Sequence, residues 1–187
     1  FRVQYNNRIG QQALEDASGS TYFLKTNIGD SRTNGLELYV EGVALRTAST
    51  YISLYTATAL MDGRYDNGQI AQGNTNVDLS GKHIESVPLW TSRNGLQASW
   101  KRWNAALQYS FVAESYSDPL NTETPSPNGA RGLVPAYSLW DAHIGVQISP
   151  GVRFRLSVNN IANLQYFTKR PTIYPAPGVW PSDGRSI

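Results

Sequence analysis

Apolar and polar residues alternate along most of this chain. In the stretch from Val152, Val152, Phe154, Leu156 and Val158 share one face, and Arg153, Arg155, Ser157 and Asn159 share the other. That period of two belongs to a β-strand. From Trp103, the residues Trp103, Ala105, Leu107, Tyr109 and Phe111 oppose Asn104, Gln108, Ser110 and Glu114. Between Tyr137 and Ile148, Trp140, Ala142, Ile144, Val146 and Ile148 oppose Asp141, His143, Gly145 and Gln147. Leu89 to Trp100 sets Trp90, Leu96, Ala98 and Trp100 against Thr91, Arg93 and Gln97. Phe1–Arg8, Leu36–Leu45 and Tyr51–Met61 are strand-like with less clean faces. The pattern predicts seven strands, with an eighth opening at Arg185. No segment carries a capped helical period, so the predicted class is all-β and antiparallel.

The connections alternate in length. Arg46-Thr47-Ala48, Lys101-Arg102 and Ser149-Pro150-Gly151 read as tight turns. Gly10–Asp30, Asp66–Gly81, Ser117–Pro135 and Thr168–Gly184 read as loops rich in Gly, Asn, Ser, Pro and Asp. Each exceeds the usual ceiling of about 12–15 residues for a structureless connection. Short turns at one end and long loops at the other suit an up-and-down barrel of an outer membrane, whereas a sandwich scatters its loop lengths. Trp90 and Trp100 bracket one strand on one face. Their separation matches an apolar band of about 25 Å at a tilt near 45°. The polar faces suit a wet or plugged lumen. Residue pattern alone leaves two choices open: membrane barrel or soluble β protein, and a small eight-stranded barrel or the end of a larger one.

Composition narrows the classes. The chain has 187 residues, 16% of them charged, against about 25% in an average soluble domain. A net charge of +2 with no basic cluster argues against nucleic acid as a partner. No apolar run approaches the roughly 18 residues of a membrane helix; barrel strands are not excluded, because they alternate. Cysteine is absent, which removes disulfides, thiolate metal sites and a Cys nucleophile. The chain opens at Phe1 and stops at Ile187, and reads as a segment of a longer protein.

Candidate chemistry is sparse. Asp141 and His143 share a face and could form an acid–base pair, but they stand about 7 Å apart along a strand and no G-x-S-x-G elbow accompanies them. His83 beside Lys82 reads as a surface residue rather than a metal ligand. Ala17-Ser18-Gly19-Ser20 lacks the strand and helix of a phosphate loop. Asp62, Asp66, Asn67 and Asp78 lack calcium-loop spacing. Cations gather in the long connections: Lys25, Arg32, Arg64, Lys82, Arg131, and Lys169 with Arg170. Arginine can grip carboxylates bidentately, and Gln165, Tyr166, Tyr174 and Trp180 could add hydrogen bonds and stacking. The proline-rich Pro171–Pro181 reads as a rigid loop.

Several motifs resemble the C-terminal part of the barrel in TonB-dependent outer-membrane receptors. Thr33-Asn34-Gly35-Leu36-Glu37-Leu38 is similar to the family's "N-G-x-E-x" strand opening. The strand Arg153–Val158 runs into Asn159-Asn160-Ile161-Ala162-Asn163-Leu164-Gln165-Tyr166, similar to the end of the penultimate strand, and Gly184-Arg185 resembles the opening of the last. The stretch from Tyr166 to Arg185 looks most like the ferric-citrate branch. The resemblance implies a barrel of about 22 strands with an N-terminal plug. Residues 1–187 would be a partial C-terminal barrel segment, with the plug, its TonB box and most of the last strand outside it. It implies a Gram-negative outer membrane, contact with the lipid bilayer, and a ferric chelate (ferric citrate or a siderophore) as transported ligand. A TonB-type complex acting through the plug would energise transport. No cofactor, resident metal or enzymatic step is implied. Lys169, Arg170, Arg131, Tyr174 and Trp180 are the expected ligand-binding residues; Arg153 and Arg155 would meet plug carboxylates. The alternatives are a passive porin-like or structural barrel, and an outer-membrane hydrolase built on Asp141 and His143.

Overall fold

A computed structural model describes every residue except Asp16, Ala17, Asn74 and residues 173–175. In chain order the strands are β1 (Arg2–Glu15), β2 (Thr21–Arg46), β3 (Thr50–Gln72), β4 (Thr75–Asp78), β5 (Trp90–Trp100), β6 (Trp103–Val112), β7 (Ser115–Tyr116), β8 (Leu133–Val134), β9 (Tyr137–Ser149), β10 (Val152–Val158), β11 (Phe167–Lys169) and β12 (Trp180–Pro181). One antiparallel sheet runs β1-β2-β3-β5-β6-β9-β10, with β4 folded back on the end of β3. Those seven strands are the seven the alternation predicts. The sheet does not close on itself. At its β10 edge, Asn159 and Ser186 form a single antiparallel bridge, exchanging two backbone hydrogen bonds at 2.9 and 3.2 Å.

Register turns the alternation into faces. Gly42, Leu54, Leu96, Leu107, Ala142 and Val158 form one continuous cross-strand row. Ile52, Ala98, Ala105, Ile144 and Leu156 form the next, and Trp100, Trp103, Val146 and Phe154 the row beside the short turns. Trp90 stands on the same face at the opposite end, where its indole N–H donates to Thr58 Oγ1 at 2.8 Å and its ring tilts against Phe111. Nothing else in the described chain covers this face. Trp140 stays 42% and Ile144 44% exposed, so no second sheet or helix of the described chain packs on this face. Such a continuous apolar wall is made for hydrocarbon, and tryptophans at both its margins suit the two interfaces. The other face carries the row Glu41, Tyr55, Gly95, Gln108 and Asp141, and beside it Ser53, Gln97, Ala106, His143 and Ser157.

Two predicted loops are strands instead. Gly10–Asp30 continues β1 and β2 as paired ribbon, with Leu14 opposite Tyr22, and Asp66–Gly81 holds the β3–β4 hairpin. β2 is 26 residues long, whereas about 9–11 tilted residues cross a bilayer. More than half of it therefore stands outside the band. Polar composition suggested loops there because a ribbon wetted on both faces needs no apolar side.

Where the ribbons leave the wall, all three strands are clipped together. Asn7 N–H donates to Asp30 Oδ1 (2.7 Å), Asp30 N–H to Asn67 Oδ1 (3.0 Å), and Asn67 Nδ2 to Asp30 Oδ2 (2.9 Å). The β1–β2 and β2–β3 registers both shift at this level, as bulges do. Gly29 and Gly68 have φ of 146° and 133°. A side chain on either would run into the backbone of the other strand. At the base of the ribbons Ile28, Tyr65, Ile70, Leu79 and Ile84 form a small core, with Val87 and Leu120 against it.

Candidate ligand-binding rim

The long-loop end is built as interlocked backbone rather than free loops. Beyond β10, Asn160 takes φ 50° and Asn163 φ 53°, left-handed positions that Asn tolerates. Asn160 is buried. Its side chain bonds the Leu164 carbonyl and amide, both at 2.9 Å, while its own N–H donates to Asp141 Oδ1 at 2.8 Å. Asn163 Oδ1 accepts the Arg185 N–H at 2.9 Å. The asparagines of the Asn-Asn-Ile-Ala-Asn run thus turn the chain, and the turn sets Tyr166 against Tyr137, ring centroids 4.6 Å apart. Asp141 serves this turn, not an acid–base pair with His143.

The predicted cations divide into two groups. Arg32 is bridged to Asp66 at 2.9 Å and Arg64 to Asp62 at 2.8 Å. Lys82 Nζ donates to the Leu120 carbonyl at 3.0 Å. Arg170 is only 8% exposed. Its Nε donates to the Leu133 carbonyl (3.0 Å) and its Nη1 to the Gly129 carbonyl (2.8 Å), and its guanidinium lies 4.8 Å from the Phe167 ring centroid. Arg170 is therefore spent on the fold rather than presented to solvent. Arg131 and Lys169 are exposed and have no hydrogen-bond or ion-pair partner for their side chains among the described residues. Lys169 lies opposite exposed Trp180 in the β11–β12 ribbon, and β11 packs beside β8, next to Arg131. The structure thus pairs Lys169 with Trp180 in one ribbon and sets that ribbon beside the segment that carries Arg131, which Arg170 bonds on both sides of Arg131. Tyr174 lies outside the described residues, as does part of the Ala17–Ser20 stretch.

Below the rim, the polar face holds an open trough of about 750 Å³. Glu37, Tyr39, Arg93, Gln108, Asp141 and Tyr166 are among its lining. Sequence reasoning did not single out Tyr39, Arg93 or Tyr137 for this site. Their inward parity was available as a signal for Arg93; what was missing was the register that sets them side by side.

Away from the rim, Arg8 Nη2 donates to Glu85 Oε1 at 3.0 Å and the Tyr65 phenol donates to Glu85 Oε2 at 2.8 Å. Burial pushes the Tyr65 phenol well above its ordinary pKa, and the neighbouring Glu85 charge adds to the shift. Asp62, Asp66, Asn67 and Asp78 each bond a different partner and do not converge. His83 Nδ1 stands 3.9 Å from Asp62 Oδ1, with its ring on Tyr116. The arrangement offers charge, stacking and hydrogen bonds to a ligand, and among the described residues no nucleophile is set against a base.

Comparison with known proteins agrees with the architecture. The family model described as TonB dependent receptor-like, beta-barrel matches residues 1–161. Over 73 residues the chain is 32% identical to the vitamin B12 transporter BtuB of Vibrio vulnificus (strain CMCP6), covering 39% of this chain and 11% of that protein. The ferric citrate transporter FecA, in its unliganded form, superposes with a TM-score of 0.69 at 20% identity, over 84% of this chain and 23% of that one. The siderophore receptor PiuA of Acinetobacter baumannii gives 0.66 at 21% identity, over 98% and 24%. The chain therefore spans less than a quarter of these proteins' length, and the structural likeness is one of fold.

Proposed function

Because the chain belongs to the TonB-dependent receptor β-barrel family of the Gram-negative outer membrane, we propose that the protein it forms part of imports a ferric chelate, with ferric citrate the first candidate, driven by a TonB-type complex. The observation that carries this reading is the rim. Lys169, opposite Trp180, and Arg131 have no side-chain partner among the described residues and stand on adjoining segments at the long-loop end, whereas Arg32, Arg64, Lys82 and Arg170 of the other long-connection cations are bonded within the chain. An anionic chelate would be drawn to Lys169 and Arg131, with the Trp180 indole N–H as a further donor. From there it would pass to the trough, where Arg93, Gln108 and the tyrosines replace its water.

Family members of this kind are receptors and transporters, not enzymes, and transport breaks no bond in the ligand. The chain's part is capture and confinement. Its apolar face seals against lipid, its polar face lines the path, and energy would enter through a plug and TonB. The test is uptake of radiolabelled ferric citrate by cells carrying the full-length receptor. Uptake should require TonB and collapse with the proton gradient; uptake indifferent to both would reject the reading.

A second reading, a corrinoid ligand, is favoured by the 32% identity to a vitamin B12 transporter. The same cells given labelled cobalamin distinguish the two.

A further inference from the structure

The connection between β6 and β9 carries Arg131 and is gripped from both sides. On one side, Asn121 (φ 56°) accepts the His83 N–H on Oδ1 at 2.7 Å and donates from Nδ2 to the His83 carbonyl at 2.8 Å. Ser86 N–H reaches the Tyr116 carbonyl at 2.8 Å in the same seam, and Lys82 Nζ reaches Leu120. Buried Asp118 holds the turn itself, its Oδ1 accepting from the Leu120 N–H (3.0 Å) and the Thr122 hydroxyl (3.1 Å). On the other side, Arg170 bonds the carbonyls of Gly129 and Leu133, two residues before and two after Arg131. The planar guanidinium fork suits two acceptors fixed at once, which a lysine ammonium cannot copy.

We propose that Arg170 and Asn121 are positioning residues that fuse three successive external connections into one preorganised rim, and that Arg170 acts on the ligand through Arg131 rather than by touching it. This rests on the reading of Lys169 and Arg131 as ligand-facing cations. It assigns opposite roles to two neighbouring cations: Lys169 faces the ligand and Arg170 faces the fold. Preorganisation matters because a loop ordered only on binding charges its lost freedom against affinity.

The experiment uses the full-length receptor in outer-membrane vesicles, with two readouts. One is limited proteolysis of the 117–134 segment without ligand. The other is ferric citrate affinity at low and high salt. Arg170→Ala and Arg170→Lys should both raise cleavage several-fold and weaken binding to a similar degree, although Lys keeps the charge. Asn121→Ala should raise cleavage as well. Lys169→Ala should weaken binding with cleavage unchanged. The proposal is overturned if Arg170→Lys restores binding, or if cleavage in Arg170→Ala or Asn121→Ala matches wild type. Should the wild-type receptor bind no ferric citrate, the functional reading fails, while cleavage still decides the rim.

Discussion

Tyr55 on β3 donates its phenol to Gln108 Oε1 on β6 at 2.9 Å, across the full width of β5. The bond is possible because the residue between them in the cross-strand row is Gly95. A side chain at Gly95 would run into the Tyr55 ring. The polar face is therefore paved here by one ring lying over a glycine.

Gly95→Ala should lift that ring and cost about 1–3 kcal/mol, the usual penalty for overpacking. Tyr55→Phe should cost less, about 1 kcal/mol for the lost hydrogen bond. Denaturant unfolding of the full-length receptor in lipid vesicles measures both. Wild-type stability in Gly95→Ala would contradict the paving.

The two faces should respond oppositely to charge. Leu107 sits in the middle row of the apolar wall, so Leu107→Arg should destabilise by about 2–4 kcal/mol. Gln97 lies one step away on the polar face, and Gln97→Arg should cost under about 1 kcal/mol. The same unfolding assay reads the contrast, and equal costs would mean that the faces have been assigned wrongly.

Lys169 and Arg131 should contribute to capture mainly through charge. Each alanine variant should lose roughly fivefold in affinity at low salt, corresponding to about 1 kcal/mol for an exposed charge contact. The loss should shrink as salt shortens the Debye length to a few ångströms. A loss independent of salt would point to packing instead.

The clasp at Asp30 makes the outer ribbon acid-sensitive. The Asn67 side chain and the Asn7 amide hold the Asp30 carboxyl below its ordinary pKa. A depressed folded value means the stabilisation is complete above the unfolded pKa, about 3.9, and is lost as pH falls through the folded one. Amide protection around Asn7 and Asn67 should therefore hold at neutral pH and fade below about pH 4. Asp30→Asn should remove that pH dependence; an unchanged acid profile would show that the clasp does not titrate.

The wall was legible in the residues because lipid imposes a rule on every second position. Trp103 through Phe111 and Trp140 through Ile148 must present apolar groups outward, so their strands, faces and tight turns follow from the chain order. Above the band that rule lapses. The β1–β2 ribbon has water on both sides, loses its period of two, and passes for a loop. The site shows the same limit more sharply. Lys169 and Arg170 are adjacent and equally basic, and local pattern cannot say which one meets solvent. Tertiary structure decides it: carbonyls at Gly129 and Leu133, about forty positions away in the chain, take up one guanidinium and leave its neighbour free. Periodicity set by the solvent is written locally, whereas the partner of a particular charge is chosen by contacts that exist only once distant connections have packed together.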